Sequence, residues 1–236
     1  FGAVDNYFTF ARDYGDVTYY WHGFDYDVNA RMANGLVFQG GATTGRGIRD
    51  TCEVQEKLPE ATLAVGVGAG INQVDACAID EDWQTNFRGL VSYVLPRIDV
   101  QLSAIMRSIA NTVPQTDQNA VATNGLSMNA NYQVTSQQVQ DAIGRPLPGG
   151  AATQTVNIVK QGEVYGPRVN TVDLRVAKIL RFGSTRTNIG LDLYNLFNSN
   201  TGTAFNQNFA TDGQTWLRPT SVLSPRFLRF NVTVDF

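Results

Sequence analysis

The stretch Phe24-Asp25-Tyr26-Asp27-Val28-Asn29-Ala30-Arg31-Met32 decides the fold class, because its even positions are apolar and its odd positions are polar. Successive side chains of a β-strand point to opposite faces, so this period of two predicts a strand with one apolar and one polar face. The turn-forming Ala33-Asn34-Gly35 follows, and then a second apolar-rich run from Leu36 to Ala42. The two runs together predict an antiparallel hairpin.

The same alternation recurs along the chain and predicts seven strands in all. Five further runs place apolar residues at alternate positions: 85–95, 99–107, 171–181, 188–193 and 228–236. Each run is close to the ~9–11 residues with which a tilted strand crosses a bilayer. The predicted fold class is therefore all-β and antiparallel.

The turn after Met32 tests whether strand register and facing agree. A two-residue turn would pair apolar with polar residues there. A three-residue turn with a bulge, with Gly35 left-handed, pairs Met32 with Leu36 and Ala30 with Phe38. We therefore predict the three-residue turn.

Two further short turns are predicted to contain two residues each, at Pro96-Arg97 and Gly183-Ser184. Glycine at the first turn position suits a type II′ hairpin at Gly183. Apolar faces then meet across both hairpins, with the pairs Tyr93 with Val100, Val91 with Leu102, Leu180 with Thr187, and Val176 with Leu191.

Short turns alternate with long connections, which we place at about 46–82, 111–169 and 199–221. The middle connection includes a brief predicted helix that is capped by Ser136, runs through Ile143 and is ended by Gly144 and Pro146. Short turns at one end and long loops at the other are typical of outer-membrane barrels. Strand by strand, a soluble β-sandwich explains the alternation equally well.

Composition excludes several classes of protein. Apolar residues make up 43% of the chain and charged residues 17%, against ~25% charged in a typical soluble domain. No run approaches the ~20 apolar residues of a membrane helix. The net charge is −3, so no broad basic surface points to nucleic acid.

Motifs for catalysis or cofactor binding are incomplete. Asp25-x-Asp27-x-Asn29 begins like a calcium loop, but its sixth position is Ala30 and its twelfth is Leu36. The stretch 40–47 has the glycine spacing of a phosphate loop but lacks the Lys-Ser/Thr ending. His22 is the only histidine. We expect no enzyme activity, no cofactor and no metal site.

The two cysteines, Cys52 and Cys77, lie in one predicted loop. Two thiols are too few for a structural zinc site, and in an oxidising compartment they can pair. We predict a structural disulfide that stabilises the protein by ~3 kcal/mol.

The chain ends on an aromatic residue preceded by apolar residues at every second position. This ending resembles the C-terminal signature of bacterial outer-membrane barrels, which the barrel-assembly machinery recognises. The residues that carry it are Leu228, Phe230, Val232, Val234 and Phe236.

The wider sequence resembles TonB-dependent outer-membrane receptors, especially the Oar-like group with an N-terminal carboxypeptidase-regulatory-like domain. The resemblance covers nearly the whole chain, and its stretches occur in the same order. They are Tyr20 to Asp25, Asn34 to Gly41, Trp83 to Gly89, Leu191 to Asn198 and Trp216 to Leu223. The resemblance implies a barrel of roughly 22 strands with a plugged lumen, of which residues 1–236 would form the C-terminal third.

The resemblance also implies a location and partners. The location is the bacterial outer membrane, and the activity is energised uptake of a bulky nutrient, with peptide, glycan and siderophore classes all open. Expected partners are outer-membrane lipid, the plug domain, the remaining barrel strands, the barrel-assembly machinery and the TonB complex, and no nucleic acid. An odd strand count cannot close alone, so we expect a fragment of a longer chain or one subunit of a split receptor.

In this interpretation the polar face of the strands faces the lumen or the plug. Nine charged residues share that face by parity: Asp25, Asp27, Arg31, Arg88, Arg107, Asp173, Arg175, Asp192 and Arg229. Lys178 falls on the apolar face. Because it lies close to the turn at Gly183, its stem can carry the ammonium towards the lipid headgroups.

Overall fold

The computed structural model describes residues 9–57, 77–111, 128–147, 150–160, 162–210 and 212–236. Most of these residues belong to antiparallel β-structure. The strands are β1 (Thr18–Arg31), β2 (Val37–Asp50), β3 (Ala78–Asp80), β4 (Gln84–Leu95), β5 (Val100–Asn111), β6 (Asn131–Thr135), β7 (Thr153–Asn157), β8 (Gly166–Phe182), β9 (Thr185–Tyr194), β10 (Gly202–Phe205), β11 (Pro219–Val222) and β12 (Phe227–Asp235).

The main sheet confirms the seven predicted strands, in the order β1-β2-β4-β5-β8-β9-β12, and β3 pairs with β2 at one end. Strands β6 and β7 form one small sheet, and β10 and β11 form another. Helices are short: a 3₁₀ turn at Ala11–Asp13, α1 at Cys52–Lys57 and α2 at Ser136–Ile143. The fold is therefore all-β and antiparallel, as predicted.

The connections alternate between short and long, as predicted. The pairs β1–β2, β4–β5 and β8–β9 are joined by tight turns, whereas the other connections contain the helices and small sheets. All tight turns therefore lie at one end of the main sheet, the turn end, and all long connections lie at the other, the loop end.

The first and third hairpins have the predicted register. Ala30 is opposite Phe38, the Met32 N–H donates to the Leu36 carbonyl at 2.9 Å, and Gly35 has φ +87°. At the third turn, Leu180 is opposite Thr187. Gly183 has φ +59°, and Ser184 is not among the residues with positive φ. This is the pattern of a type II′ turn.

The predicted two-residue turn at Pro96-Arg97 is wrong. Leu95 is opposite Val100 and Tyr93 is opposite Leu102, so four residues form the connection. Its last residue, Asp99, adopts φ +48°, a conformation that aspartate tolerates better than most residues. The register moves by an even number of residues, so apolar residues still meet across the hairpin.

The long connections contain more structure than predicted. Strand β2 continues to Asp50, and β3 extends the sheet inside the first connection. The brief helix spans 136–143 as predicted, but its cap is Thr135, whose side chain accepts from the Gln138 N–H, instead of Ser136. Gly144 ends the helix with φ +76°.

The apolar side chains of the main sheet form a row that crosses all seven strands on one face: Ala30, Phe38, Val91, Ala104, Leu174, Leu193 and Leu228. No second sheet of the described chain packs against this apolar face. Its side chains are exposed in consequence: Tyr26 is 58% exposed, Met106 is 49% and Phe230 is 68%. A sandwich would bury this face, and the described residues show no such burial.

The buried core lies mostly in the loop region. Its largest fully buried side chains are Met128 and Val54, both outside the main sheet. Cys52 and Cys77 form the predicted disulfide in the first long connection. Thr51 beside it is buried, and its N–H and hydroxyl both donate to the Cys77 carbonyl, at 2.8 and 3.2 Å. The disulfide therefore ties the end of β2 to the start of β3.

We expect Gly183→Ala to lower the free energy of unfolding by ~1–2 kcal/mol, because an L-residue at positive φ is strained. Steric overlap does not contribute, because no atom lies within 4 Å of the position that the alanine Cβ would take. Gly89 is the matched control: its Cβ position is also open and its φ is not positive. Denaturant unfolding of both variants measures the difference, and an equal effect of Gly89→Ala would refute the turn assignment.

We expect reduction of the disulfide to lower the free energy of unfolding by ~3 kcal/mol, because the open loop gains conformational freedom in the unfolded chain. Thermal unfolding with and without reductant measures this in the natural chain. The Cys52→Ser, Cys77→Ser double variant is the control and should not respond to reductant. Alkylation of either thiol in the denatured, unreduced protein would contradict the prediction.

Candidate functional site

The strand register places all nine predicted charged residues on the face opposite the apolar one. One row of this polar face crosses the whole sheet: Arg31, Val37, Ser92, Ser103, Arg175, Asp192 and Arg229. Assignment of the polar face to a lumen or a plug contact stays a prediction.

Asp192 is the centre of a network at the β8–β9–β12 end of this row. The residue is 5% exposed, and its Oδ2 accepts from the Arg229 guanidinium at 3.0 and 3.2 Å and from Asn231 Nδ2 at 2.9 Å. Arg175 lies 3.5 Å from its Oδ1 and also donates to Asn231 Oδ1 at 3.0 Å. Two cations and an amide thus compensate one buried carboxylate.

Gly190 makes room for this network. A Cβ at this position would lie 2.8 Å from Asn231 Oδ1 and 3.2 Å from Arg175. Any other residue would therefore push these partners off Asp192. Arg229 also lies 5.2 Å above the centre of the Tyr194 ring, which stacks on Phe227. Such cation–π contacts fix the direction of the guanidinium.

Asn195, within the Leu191 to Asn198 stretch, shapes the start of the third long connection. It is 5% exposed and adopts φ +50°. Its N–H donates to Asp173 Oδ1 at 2.8 Å, and its Nδ2 donates to the carbonyls of Ser199 and Ser224 at 2.9 and 2.8 Å. Asp173 and Asn195 therefore determine where β9 ends and join the two sides of the connection.

Asp25 and Asp27 lie on β1, where neighbouring residues accommodate them. The Thr43 hydroxyl donates to Asp25 Oδ1. The Asp27 carboxylate occupies the space that a Cβ at Gly41 would need, directly across the β1–β2 pair. The aspartates of the apparent calcium loop are therefore separate strand residues. Among the described residues, no group of three or more His, Cys, Asp or Glu is arranged to hold a metal ion.

Arg88 and Arg107 are directly opposite each other in the middle of the polar face, and both are exposed. Like charges in this position repel. None of the four ion pairs among the described residues involves Arg31, Arg88 or Arg107. These three arginines therefore make no ion pair within the described part of the chain, and the Asp27 carboxylate lies over Gly41, the residue opposite Arg88.

The apolar face has a shallow groove of about 440 Å³, whose lining includes Gly40, Gly89, Phe38 and Met106. The Phe38 ring lies against Gly40, where a Cβ would be 3.0 Å from it. Lys178, a charged residue on this face, extends to the four-residue turn and donates to the Ile98 carbonyl. Its ammonium thus reaches the turn end of the sheet, the direction that we predicted.

The apolar residues of the C-terminal signature also lie on this face. Leu228, Phe230 and Val232 are opposite Leu193, Leu191 and Ile189 on β9. They are exposed, with the other members of the set: Leu228 63%, Phe230 68%, Val232 52%, Val234 42% and Phe236 100%.

Sequence reasoning missed a second cluster, at the loop end of the polar face. The Trp21 indole covers Gly23 and Gly45, which are opposite each other on β1 and β2. The Glu81 carboxylate accepts from the Gly47 N–H at 3.3 Å. The available signal was Gly45 and Gly47 on β2, opposite the aromatic-rich start of β1, which itself contains Gly23.

Two groups near this cluster have shifted pKa values. Burial raises the pKa of the Glu81 carboxyl, although the Gly47 N–H and Arg49 oppose the shift. Burial also raises the pKa of Tyr165, against the hydrogen bond that its phenol oxygen accepts from the Asp82 N–H at 3.1 Å. Both groups lie in the long connections, outside the seven strands.

No protein-family model matches this chain, and neither the curated proteins nor the solved structures include one that is similar to it. Among the described residues, no helix is long and apolar enough to cross a membrane.

We expect Asp192→Ala to lower the free energy of unfolding by ~2–3 kcal/mol, because it removes charge-assisted hydrogen bonds and leaves two cations together. Asp80→Ala is the control. Asp80 pairs with Arg46 at 2.9 Å with its own side chain 60% exposed, and such surface pairs contribute ~0–1 kcal/mol. Denaturant unfolding measures both, and an Asp192→Ala cost no larger than that of Asp80→Ala would refute the network's importance.

Proposed function

We propose that this chain is part of the wall of a bacterial outer-membrane β-barrel, in a TonB-dependent transporter that takes up a bulky nutrient. The observation that carries the proposal is the main sheet's exposed apolar face, set against a polar face with its own hydrogen-bond network. In water, each Å² of apolar surface that stays exposed loses the ~25 cal/mol of stabilisation that its burial would provide. In a bilayer the same face is solvated by lipid, so exposure there is favourable.

The two ends of the sheet support this proposal. Tight turns occupy one end and long connections the other, the arrangement of barrels with short periplasmic turns and long extracellular loops. Lys178 lies on the apolar face but reaches a turn carbonyl at the sheet's end. A lipid-facing lysine is tolerated when its ammonium reaches the membrane interface in this way.

The strand directions favour a larger assembly. Along the path β1-β2-β4-β5-β8-β9-β12, each strand is antiparallel to the next, so β1 and β12 run in the same direction. They cannot pair antiparallel with each other. A closed antiparallel barrel that contains this sheet therefore needs an odd number of further strands. We propose that more of the same polypeptide, or a second subunit, supplies them.

The polar face then lines the barrel interior. Arg31, Arg88 and Arg107 present positive charge there, and carboxylates of a plug domain would compensate it. The TonB complex would act on that plug, outside this segment, and the barrel-assembly machinery would recognise the ending at Phe236. We assign no catalysis and no cofactor to this chain. The uptake step itself is proposed from the resemblance to TonB-dependent receptors.

We expect Tyr26→Arg to prevent or weaken membrane assembly, because a charge on the lipid-facing side near the membrane midplane costs ~2–4 kcal/mol. Asn29→Arg is the matched control, three residues along β1 on the polar face. Both natural side chains are exposed, so no core packing distinguishes them. The yield of folded protein in outer-membrane extracts measures the effect.

The same experiment can refute the proposal. If Tyr26→Arg and Asn29→Arg accumulate equally in the outer membrane, the apolar face does not contact lipid. If the natural protein is recovered without detergent, in the soluble fraction, it is not a membrane barrel. In that case a binding module with its apolar face covered by another partner becomes the better interpretation. The intact mass of the extracted protein separates a longer receptor from a separate subunit of 25.9 kDa.

A further inference from the structure

Trp21 lies on the polar face, where its indole packs over two glycines instead of over other side chains. It lies near the loop end of β1, its side chain is 49% exposed, and its indole covers the Gly23–Gly45 pair. A side chain on either glycine would collide with the ring. The two glycines therefore form a flat floor that holds the indole against the sheet with its outer surface exposed.

Polar and aromatic groups surround this ring on the same face. Tyr19 lies one strand repeat further towards the loop end and is 63% exposed, with the Arg49 guanidinium 5.4 Å from its ring centre. Gly47, directly opposite Trp21, has the Glu81 carboxylate above it: a Cβ there would lie 2.8 Å from Glu81 Oε2. Two aromatic surfaces, a guanidinium and a carboxylate therefore meet within one small area.

This combination is suited to a sugar ring. A pyranose has a face of C–H groups that packs on an aromatic ring and a rim of hydroxyls that both donate and accept. A carboxylate accepts hydrogen bonds and a guanidinium donates them, so Glu81 and Arg49 match that rim. One acid and one base leave the cluster close to neutral, which favours an uncharged ligand over an ionic one.

We propose that Tyr19, Trp21, Arg49 and Glu81 form a subsite for a neutral glycan. The proposal rests on the proposed function, because only in a transporter does this face line the path of a substrate. It deepens that function by choosing the glycan class among the nutrients left open above. The subsite lies at the loop end, where a substrate that enters from outside the cell would first meet the barrel.

The test uses the full receptor, purified from outer membranes in detergent, and five neutral probes: maltohexaose, cellohexaose, laminarihexaose, xylohexaose and chitohexaose. We expect at least one to bind in isothermal titration calorimetry. Trp21→Ala should then weaken its binding roughly tenfold, the scale of one lost aromatic stacking contact. Trp21→Phe keeps an aromatic face and should retain most of the affinity.

Trp83→Ala is the matched control. Trp83 is also half-exposed, at 51%, and lies immediately before β4 but outside the subsite. Its substitution should leave glycan affinity unchanged. Recovery of every variant in the outer membrane, with the same heat-induced gel shift, shows that each has folded.

Three results would overturn the subsite. One is binding of none of the five glycans by a receptor that folds in the outer membrane. Another is equal loss of affinity in Trp21→Ala and Trp83→Ala, and the third is a calorimetric response to neutral hexapeptides only. Each leaves the proposed function standing, because membrane recovery is measured on the same preparations. Recovery in the soluble fraction would instead refute both proposals.

Discussion

A β-strand turns successive side chains to opposite sides, and every strand of the main sheet has its apolar set on the same side. The row from Ala30 to Leu228 is apolar across all seven strands, and the row from Arg31 to Arg229 on the other face contains three arginines and an aspartate. The observed hairpin registers keep apolar residues opposite apolar residues. A shift of one strand by an odd number of residues would place polar residues opposite them. The same separation of side chains leaves one face of the sheet wholly apolar along this row, and this face determines which surroundings the protein needs.

The polar face is organised by glycine as much as by charge. Gly190 leaves space for the contacts of Asp192, and Gly41 leaves space for Asp27. Gly23 and Gly45 do the same for Trp21 at the loop end. In each case a glycine leaves space for a polar or aromatic side chain of its own strand or of the neighbouring one. Glycine in a strand interior otherwise weakens a sheet. We therefore attribute these glycines to the space that the polar and aromatic groups need.

Buried and exposed apolar side chains are separated along the strands. The loop end holds the buried residues Met128 and Val54, the disulfide, and the Trp21 cluster. The middle of the sheet holds almost no buried apolar side chain; Ala177 and Ile179, near the turn end on the polar face, are exceptions. The middle therefore depends on its surroundings, whereas the loop end has its own core.

The sequence by itself determined the fold class, the seven strands, two of the three hairpin registers, and which nine charged residues share a face, because all of these follow from the two-residue period. It also located the disulfide and the helix ending at Ile143. Tertiary structure decided the rest. The four-residue turn before Val100 depends on the backbone conformation of Asp99. The alternation of apolar and polar residues cannot reveal this turn, because the two-residue and the four-residue turn both place apolar residues opposite each other. The Asp192 network also needs β12 to pair with β9, and the Trp21 cluster needs Glu81 from beyond β3. The two hairpin registers that the sequence predicted contain neither of these contacts.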